Sequence, residues 1–201
     1  MSNHAALPAL CDAVGIPEPD GWRRYFDLAK TWGAKTDLTS ARTDEQLAEI
    51  LFLDAAFVIK ASWCPAAASL VDVGAGVGAP TIPILLADET LSATLVEPRR
   101  MRTVFLRTAA GSLDIATRMT ALETKVDPDE PSVPGSPFTI ALSRATFAPD
   151  EWLRIGAQLA DEVWVLTAGA EPAPREDREL VRRLDYAVPS SGAPRSILAY
   201  R

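Results

Sequence analysis

The stretch LVDVGAGVGAP, residues 70–80, decides how this chain is read. A short apolar run carries an aspartate, Asp72, and then meets three glycines at alternate positions, Gly74, Gly76 and Gly78. An apolar run of this length bounded by glycines reads as a buried strand. Glycines placed this way let the backbone turn sharply and come close to a ligand. The next residues, TIPILLA (81–87), suit a helix, with Pro80 tolerable at its start. Strand, glycine turn and helix are the opening unit of an α/β fold.

Outward from that unit, strand and helix signals alternate. Strands are expected at 69–73, 93–97, 117–121, 138–143 and 163–167, and helices at 81–87, 98–112, 150–160 and 176–184. Residues 127–137, rich in proline, read only as loop. Segments 185–188 and 196–200 flank the turn PSSGAP and predict an antiparallel hairpin at one sheet edge. The expectation is a doubly wound, mostly parallel sheet with helices on both faces and an antiparallel C-terminal hairpin. Before it the chain reads helical. Trp22, Tyr25, Phe26, Ala29 and Trp32 recur at helical spacing, with Asp20 as N-cap and Gly33 as stop. A second helix opens at Asp44-Glu45 and runs past Leu47, Ile50, Leu51, Asp54 and Phe57. With 63–69 as linker, residues 1–68 form an N-terminal helical extension and 69–201 the main domain.

Composition narrows the function. The chain has 201 residues, 48% hydrophobic and 23% charged, as expected of a soluble globular protein. It lacks any apolar run of the roughly 18 residues a membrane span needs, and its start lacks the pattern of a secretory signal. Cys11 and Cys64 stand far apart and read as reduced thiols of a cytoplasmic protein. His4 is the one histidine, in a terminus expected to fray, which argues against a histidine-based zinc site, a Ser-His triad or a histidine base. No metal is expected. The net charge is −7, so a nucleic-acid ligand needs a local positive patch.

The glycine loop fits two templates. Gly74, Gly76 and Ala79 satisfy the dinucleotide pattern, and Gly74, Gly76 and Gly78 satisfy the loop that holds S-adenosylmethionine. A carboxylate at Asp72 disfavours a pyrophosphate and suits a ligand bearing an ammonium and a sulfonium. Glu97, at the end of the second strand, can accept both hydroxyls of a ribose and so indicates a nucleoside. The 133 residues from the first strand onward build one sheet, without a separate substrate domain. No Gly-Lys-Ser/Thr is present, which excludes a P-loop. Together these point to a class I, Rossmann-like S-adenosylmethionine-dependent methyltransferase.

Further stretches carry a resemblance. TDLTSAR (36–42), Leu53-Asp54, LVDVGAGVGAPTIPI (70–84), LVEPRRMR (95–102) with FLR (105–107), and LSRA (142–145) are similar in order and spacing to the RsmG (GidB) family of bacterial 16S rRNA guanine-N7 methyltransferases. The likeness runs from about residue 25 to about 166. It implies cofactor roles for Gly74, Ala75, Gly76, Gly78 and Ala79 in the loop, for Glu97 at the ribose, and for Leu122 and Glu123 at the adenine. It implies a site role, cofactor-binding and catalytic, for Arg144. It implies 16S rRNA, or the small ribosomal subunit, as partner. Arg99, Arg100, Arg102 and Arg107 on the helix after the second strand, joined by Arg42, are the candidate RNA contacts. Guanine N7 carries a lone pair and no proton, so a chain without a histidine base can methylate it. The chain departs from the family pattern at Asp37, where asparagine is usual, at Ile50-Leu51, where an Arg-His pair is usual, and at 166–169, Leu-Thr-Ala-Gly. These departures leave two alternatives: the same cofactor with a small-molecule substrate, or a non-catalytic binder of the cofactor.

Overall fold

The computed structural model describes residues 5–201; His4 lies outside them. Three helices come first, α1 (Ala6–Val14), α2 (Trp22–Gly33) and α3 (Asp44–Lys60). An α/β alternation follows: β1 (Ser69–Val73), α4 (Thr81–Ala87), β2 (Ser92–Val96), α5 (Arg100–Ser112), β3 (Met119–Leu122), β4 (Phe138–Arg144), α6 (Pro149–Gly156), β5 (Ala160–Thr167), β6 (Leu180–Ala187) and β7 (Pro194–Tyr200). The seven strands form one sheet in the order β3-β2-β1-β4-β5-β7-β6. Strands β1 to β5 pair in parallel, and β7 runs antiparallel to both β5 and β6. The strand order reverses between β1 and β4, where ligands bind in doubly wound sheets.

Strand alternation sets the two faces. Leu70 and Leu95 point into one apolar cluster with α1 to α5, whereas Val71, Val73 and Val96 point into the other, with α6. Asp72 shares the face of Leu70, so its carboxyl is carried inward toward α4.

Two expectations are corrected. The helix expected at 176–184 is absent: coil leads to 179, and residues 180–187 form edge strand β6. Pro172 and Pro174 interrupt the segment before it, and its half-buried positions, Arg182, Leu184 and Tyr186, fall at every second residue, which is strand spacing. Asp20 does not cap α2. The N-cap is Gly21, with φ +82° and no side-chain hydrogen bond; a left-handed turn suited to glycine takes the place of an aspartate cap. One helix went unread. In α1, Leu7, Leu10, Cys11 and Val14 are buried, and Lys60 Nζ closes its end on the Val14 carbonyl at 2.6 Å. Among the described residues no helix is long and apolar enough to cross a membrane, and no group of three or more His, Cys, Asp or Glu is placed to hold a metal.

Candidate active site

The glycine loop starts at the carboxyl end of β1 and is pinned at once. The N–H groups of Gly74 and Ala75 both donate to the Val96 carbonyl, at 2.8 and 3.1 Å. The Gly76 N–H donates to Glu97 Oε2 at 2.9 Å, and the Arg99 N–H to Glu97 Oε1 at 2.9 Å. Glu97 is 3% exposed, and each of its oxygens keeps a further lone pair. Beneath the loop, Asp72 is 1% exposed, and Thr81 Oγ1 donates to its Oδ2 at 2.6 Å. Burial pushes its carboxyl up to about 7, against the downward pull of the Thr81 hydrogen bond and the Arg144 charge. The loop's glycines serve different ends. A Cβ on Gly74 (φ +78°) collides with the Thr146 side chain, and one on Gly78 (φ +89°) sits 2.5 Å from Ile82 Cδ1 and 2.9 Å from Leu106 Cδ2. Gly78 therefore packs α4 and α5 together, while the backbone of Gly76 faces the open cleft, with nothing nearer its Cβ position than Arg102 Nη1 at 3.8 Å.

Helix α2 braces the loop from behind. Tyr25, fully buried, donates its phenol to the Val77 carbonyl at 2.6 Å, and Trp22 Nε1 donates to the Pro83 carbonyl at 3.0 Å. The apolar stripe read from the sequence thus carries two polar tips aimed at the loop and at α4.

Arg144 ends β4. Its Nη1 donates to the Ile50 carbonyl at 2.8 Å and to Asp54 Oδ2 at 3.0 Å. Asp54 Oδ1 accepts from the Tyr186 hydroxyl at 2.5 Å, and Tyr186 stacks on Phe57 with centroids 4.4 Å apart. Burial and the Asp54 charge hold the Tyr186 phenol far above its ordinary range, so it stays neutral. The next residue, Ala145, adopts φ +57°. That left-handed turn costs energy in a residue with a Cβ, and it brings Thr146 against Gly74.

These elements enclose a cavity of about 970 Å³. Gly74, Ala75, Gly76, Ala79, Arg102 and Arg144 line it, beside α3, the turn after Arg144 and the β6–β7 hairpin. Gly78, Asp72 and Glu97 are not part of its lining, and the two acids are buried. Leu122 and Glu123 lie at the end of edge strand β3, outside this lining, and Arg42, Arg99, Arg100 and Arg107 are exposed and outside it too. Arg102 reaches the cleft, its Nη2 3.4 Å from the Asp37 carbonyl, and Arg107 is held by the Ala121 carbonyl. In the sequence Tyr25 reads only as part of an apolar helix stripe, Asp54 only as part of a helix and a motif, and Glu49 and Tyr186 carry no reading of their own. An acid on the apolar stripe of α3 was the available signal. Tyr186 had none, because its partner lies 132 residues away.

Comparison with known proteins bears directly on this arrangement. Residues 20–173 match the family described as rRNA small subunit methyltransferase G, GidB. The chain belongs to this family. It is 28% identical to the ribosomal RNA small subunit methyltransferase G of Anaeromyxobacter dehalogenans, over 98% of this chain and 97% of that one. It is 30% identical to the protein of the same name from Myxococcus xanthus, over 96% and 94%. Among solved structures it resembles the Escherichia coli protein yhhF, provisionally named a methyltransferase, with a TM-score of 0.59 at 19% identity over 82% of this chain and 89% of that one. At that identity the likeness concerns the fold, a class I methyltransferase sheet. The GidB match begins just before α2 and ends beyond β5, so it takes in the brace, the glycine loop, Asp54 and Arg144.

Proposed function

We propose that this chain transfers a methyl group from S-adenosylmethionine to N7 of a guanine in small-subunit rRNA, in the cytoplasm. Residues 69–201 act as the transfer unit, and α2 and α3 brace and wall its cleft. The observation that carries the reading is the meeting, at the strand-order reversal, of the glycine loop, two carboxylates beneath it and a charge-matched Arg144. This donor set fits a cationic sulfur nucleoside. Asp72 and Glu97 put negative charge under the loop, and the Asp54 carboxylate offsets the guanidinium of Arg144, so that the arginine does not repel a cation. Gly74, Ala75, Gly76 and Ala79 form the floor for the cofactor, Gly78 shapes the loop, Glu97 takes the ribose, Leu122 and Glu123 take the adenine, and Arg144 borders the reacting end.

S-adenosylmethionine, when bound, supplies a methyl on a positively charged sulfur that the N7 lone pair takes without loss of any proton. The residues of the cleft therefore align and shield the reactants. The loop is fixed from three sides by Val96, Glu97 and Tyr25, so the ordering is complete before the ligands meet. Arg144 is fixed by Ile50 and Asp54, and Asp54 by Tyr186. Arg42, Arg99, Arg100 and Arg102 supply the contacts to RNA phosphates, and Arg107, whose guanidinium is held by the Ala121 carbonyl, adds less.

The test is methyl transfer from labelled S-adenosylmethionine to 30S subunits purified from cells that lack this modification. Digestion of the 16S rRNA is expected to give labelled 7-methylguanosine. Label on another base, on other RNAs or on free nucleosides instead would overturn the reading.

A further inference from the structure

Where α3 meets the β6–β7 turn, the cavity wall contains a carboxylate, Glu49, that the methyl transfer described so far does not employ. On α3, Gln46, Glu49, Ile50, Leu53 and Asp54 recur at spacings of three and four and line the cleft together. Three of these side chains are polar. Gln46 Oε1 already accepts from the Arg42 N–H at 2.8 Å. Asp54 has one oxygen on Arg144 and the other on Tyr186. Glu49 differs, because a single residue of the β6–β7 turn holds both its oxygens. Ser190 donates its N–H to Oε1 and its hydroxyl to Oε2, each at 2.7 Å. An ionised carboxylate offers about four acceptor positions, so two remain on a group whose orientation is already fixed.

Two neighbours complete a chemical type. Phe147 lines the same space and is backed by Trp152, the rings stacked with centroids 5.8 Å apart and planes 15° apart. Arg195, which lies across from Tyr186 in the hairpin register, also lines the cavity, and its guanidinium makes no hydrogen bond or ion pair among the described residues. An aromatic face, a fixed carboxylate and a free guanidinium are what a base turned out of its stack meets: a stacking surface, an acceptor for its Watson–Crick edge and a phosphate partner. Guanine matches the acceptor. Its N1–H and exocyclic amine are adjacent donors that a carboxylate can take together. N7 lies on the opposite side of the purine, so a base gripped by that edge offers N7 to whatever lies beyond. Glu49 stands five residues before Asp54, about 7.5 Å along the helix axis at 1.5 Å per residue, and Asp54 holds Arg144 at the cofactor end.

We infer that Glu49 reads the Watson–Crick edge of the target guanine, with Phe147 as its stacking face and Arg195 at its phosphate. The inference rests on the methyl transfer proposed above and assigns the base-recognition subsite of the same cleft. The experiment compares wild type, Glu49→Gln and Ser190→Ala in methyl transfer to unmodified 30S subunits, with S-adenosylmethionine affinity measured by calorimetry as the check on fold and cofactor site. Glu49→Gln keeps the shape but sets an amide N–H against guanine's donors. Its kcat/KM for 30S is expected to fall about ten- to a hundredfold, with cofactor affinity unchanged. Ser190→Ala leaves the carboxylate in place and is expected to lose much less. Wild-type rates in Glu49→Gln, or equal losses in the two variants, would mean that Glu49 only latches α3 to the hairpin, and would overturn the inference alone. A fall in cofactor affinity matching the fall in rate would overturn it too. Wild-type protein that leaves guanine N7 unmethylated would overturn the parent reading and this inference together.

Discussion

Asp72 carries its carboxyl into the interior beneath the glycine loop, 1% exposed. Its ordinary value is 3.8, and burial beneath the glycine loop lifts it to about 7. The unfolded chain therefore ionises first, and the folded state favours the protonated acid. Stability tied to this group is fully present below pH 4 and is lost as pH rises through about 7, a difference of roughly 4 kcal/mol. A cation above the loop reverses the preference, because it favours the ionised form. Wild-type affinity for S-adenosylmethionine is thus expected to rise between pH 6 and pH 8 with release of a proton, read by calorimetry in buffers of different ionisation enthalpy. The α-ammonium of the ligand titrates near pH 8, so Asp72→Asn is the reference. This variant should bind more weakly with a shallower pH slope, and without ligand it should resist urea better than wild type at pH 8. Parallel pH slopes for the two proteins would separate Asp72 from the cofactor. The cysteines take no comparable part. Burial pushes Cys11 up to about 11 and Cys64 up to about 12, and both are free thiols with little thiolate at neutral pH.

Helices and hairpins decide how still the site is held. Helix α2 looks like core packing, and it is that: Trp22, Tyr25 and Phe26 all meet Phe52 of α3. The Tyr25 phenol adds something packing does not, a hydrogen bond to the loop carbonyl of Val77. Tyr25→Phe keeps the ring and leaves that carbonyl unpaired, at a cost of about 1–3 kcal/mol. The expected result is a lower urea midpoint together with weaker cofactor binding, about fivefold for each 1 kcal/mol that falls on the loop; cofactor affinity equal to wild type would reduce α2 to a packing element. The β6–β7 hairpin is tied in at both ends, by Tyr186 and Ser190 to α3 and by Arg182 and Arg201 to the buried Glu162 of β5. What could be read beforehand follows from range. The segment from β1 to β5 was legible because glycines, prolines and apolar periodicity are local signals, and Asp72, Glu97 and Arg144 stood at strand ends where such folds bind ligands. Strand β6 was legible only at its end, residues 185–187, beside the hairpin turn; residues 180–184 were not, because among the described residues their ladder is to β7 alone and their charged residues imitate a helix. Glu49, Asp54 and Tyr186 line the cleft through contacts spanning 90 or more residues of sequence, which no spacing rule reports.

At the scale of the molecule the difficulty is charge, since a chain of net charge −7 is asked to bind RNA. Pairing resolves it. Arg23, Arg24, Lys30, Arg175 and Arg183 are matched with carboxylates across the surface. Lys35, Arg42, Arg99, Arg100, Lys125 and Arg195 make no side-chain hydrogen bond or ion pair among the described residues. These unmatched cations lie in the segment between α2 and α3 that lines the cleft, after β2, after β3 and at the start of β7. Arg99, Arg100, Lys125 and Arg195 lie at the carboxyl end of the parallel strands, where unmatched positive charge favours an anionic ligand despite the net charge. Each phosphate neutralised releases counterions and steepens the dependence of binding on salt. Arg99→Ala with Arg100→Ala keeps the Arg99 N–H that Glu97 accepts and removes two free charges. The double variant is therefore expected to bind 30S subunits more weakly at every site sequence, with the slope of log affinity against log salt shallower by about two. Arg107→Ala is the contrast: its guanidinium is occupied by the Ala121 carbonyl, so the slope should change less. An unchanged slope in the double variant, measured by filter binding across a salt series, would move the RNA to another face of the protein.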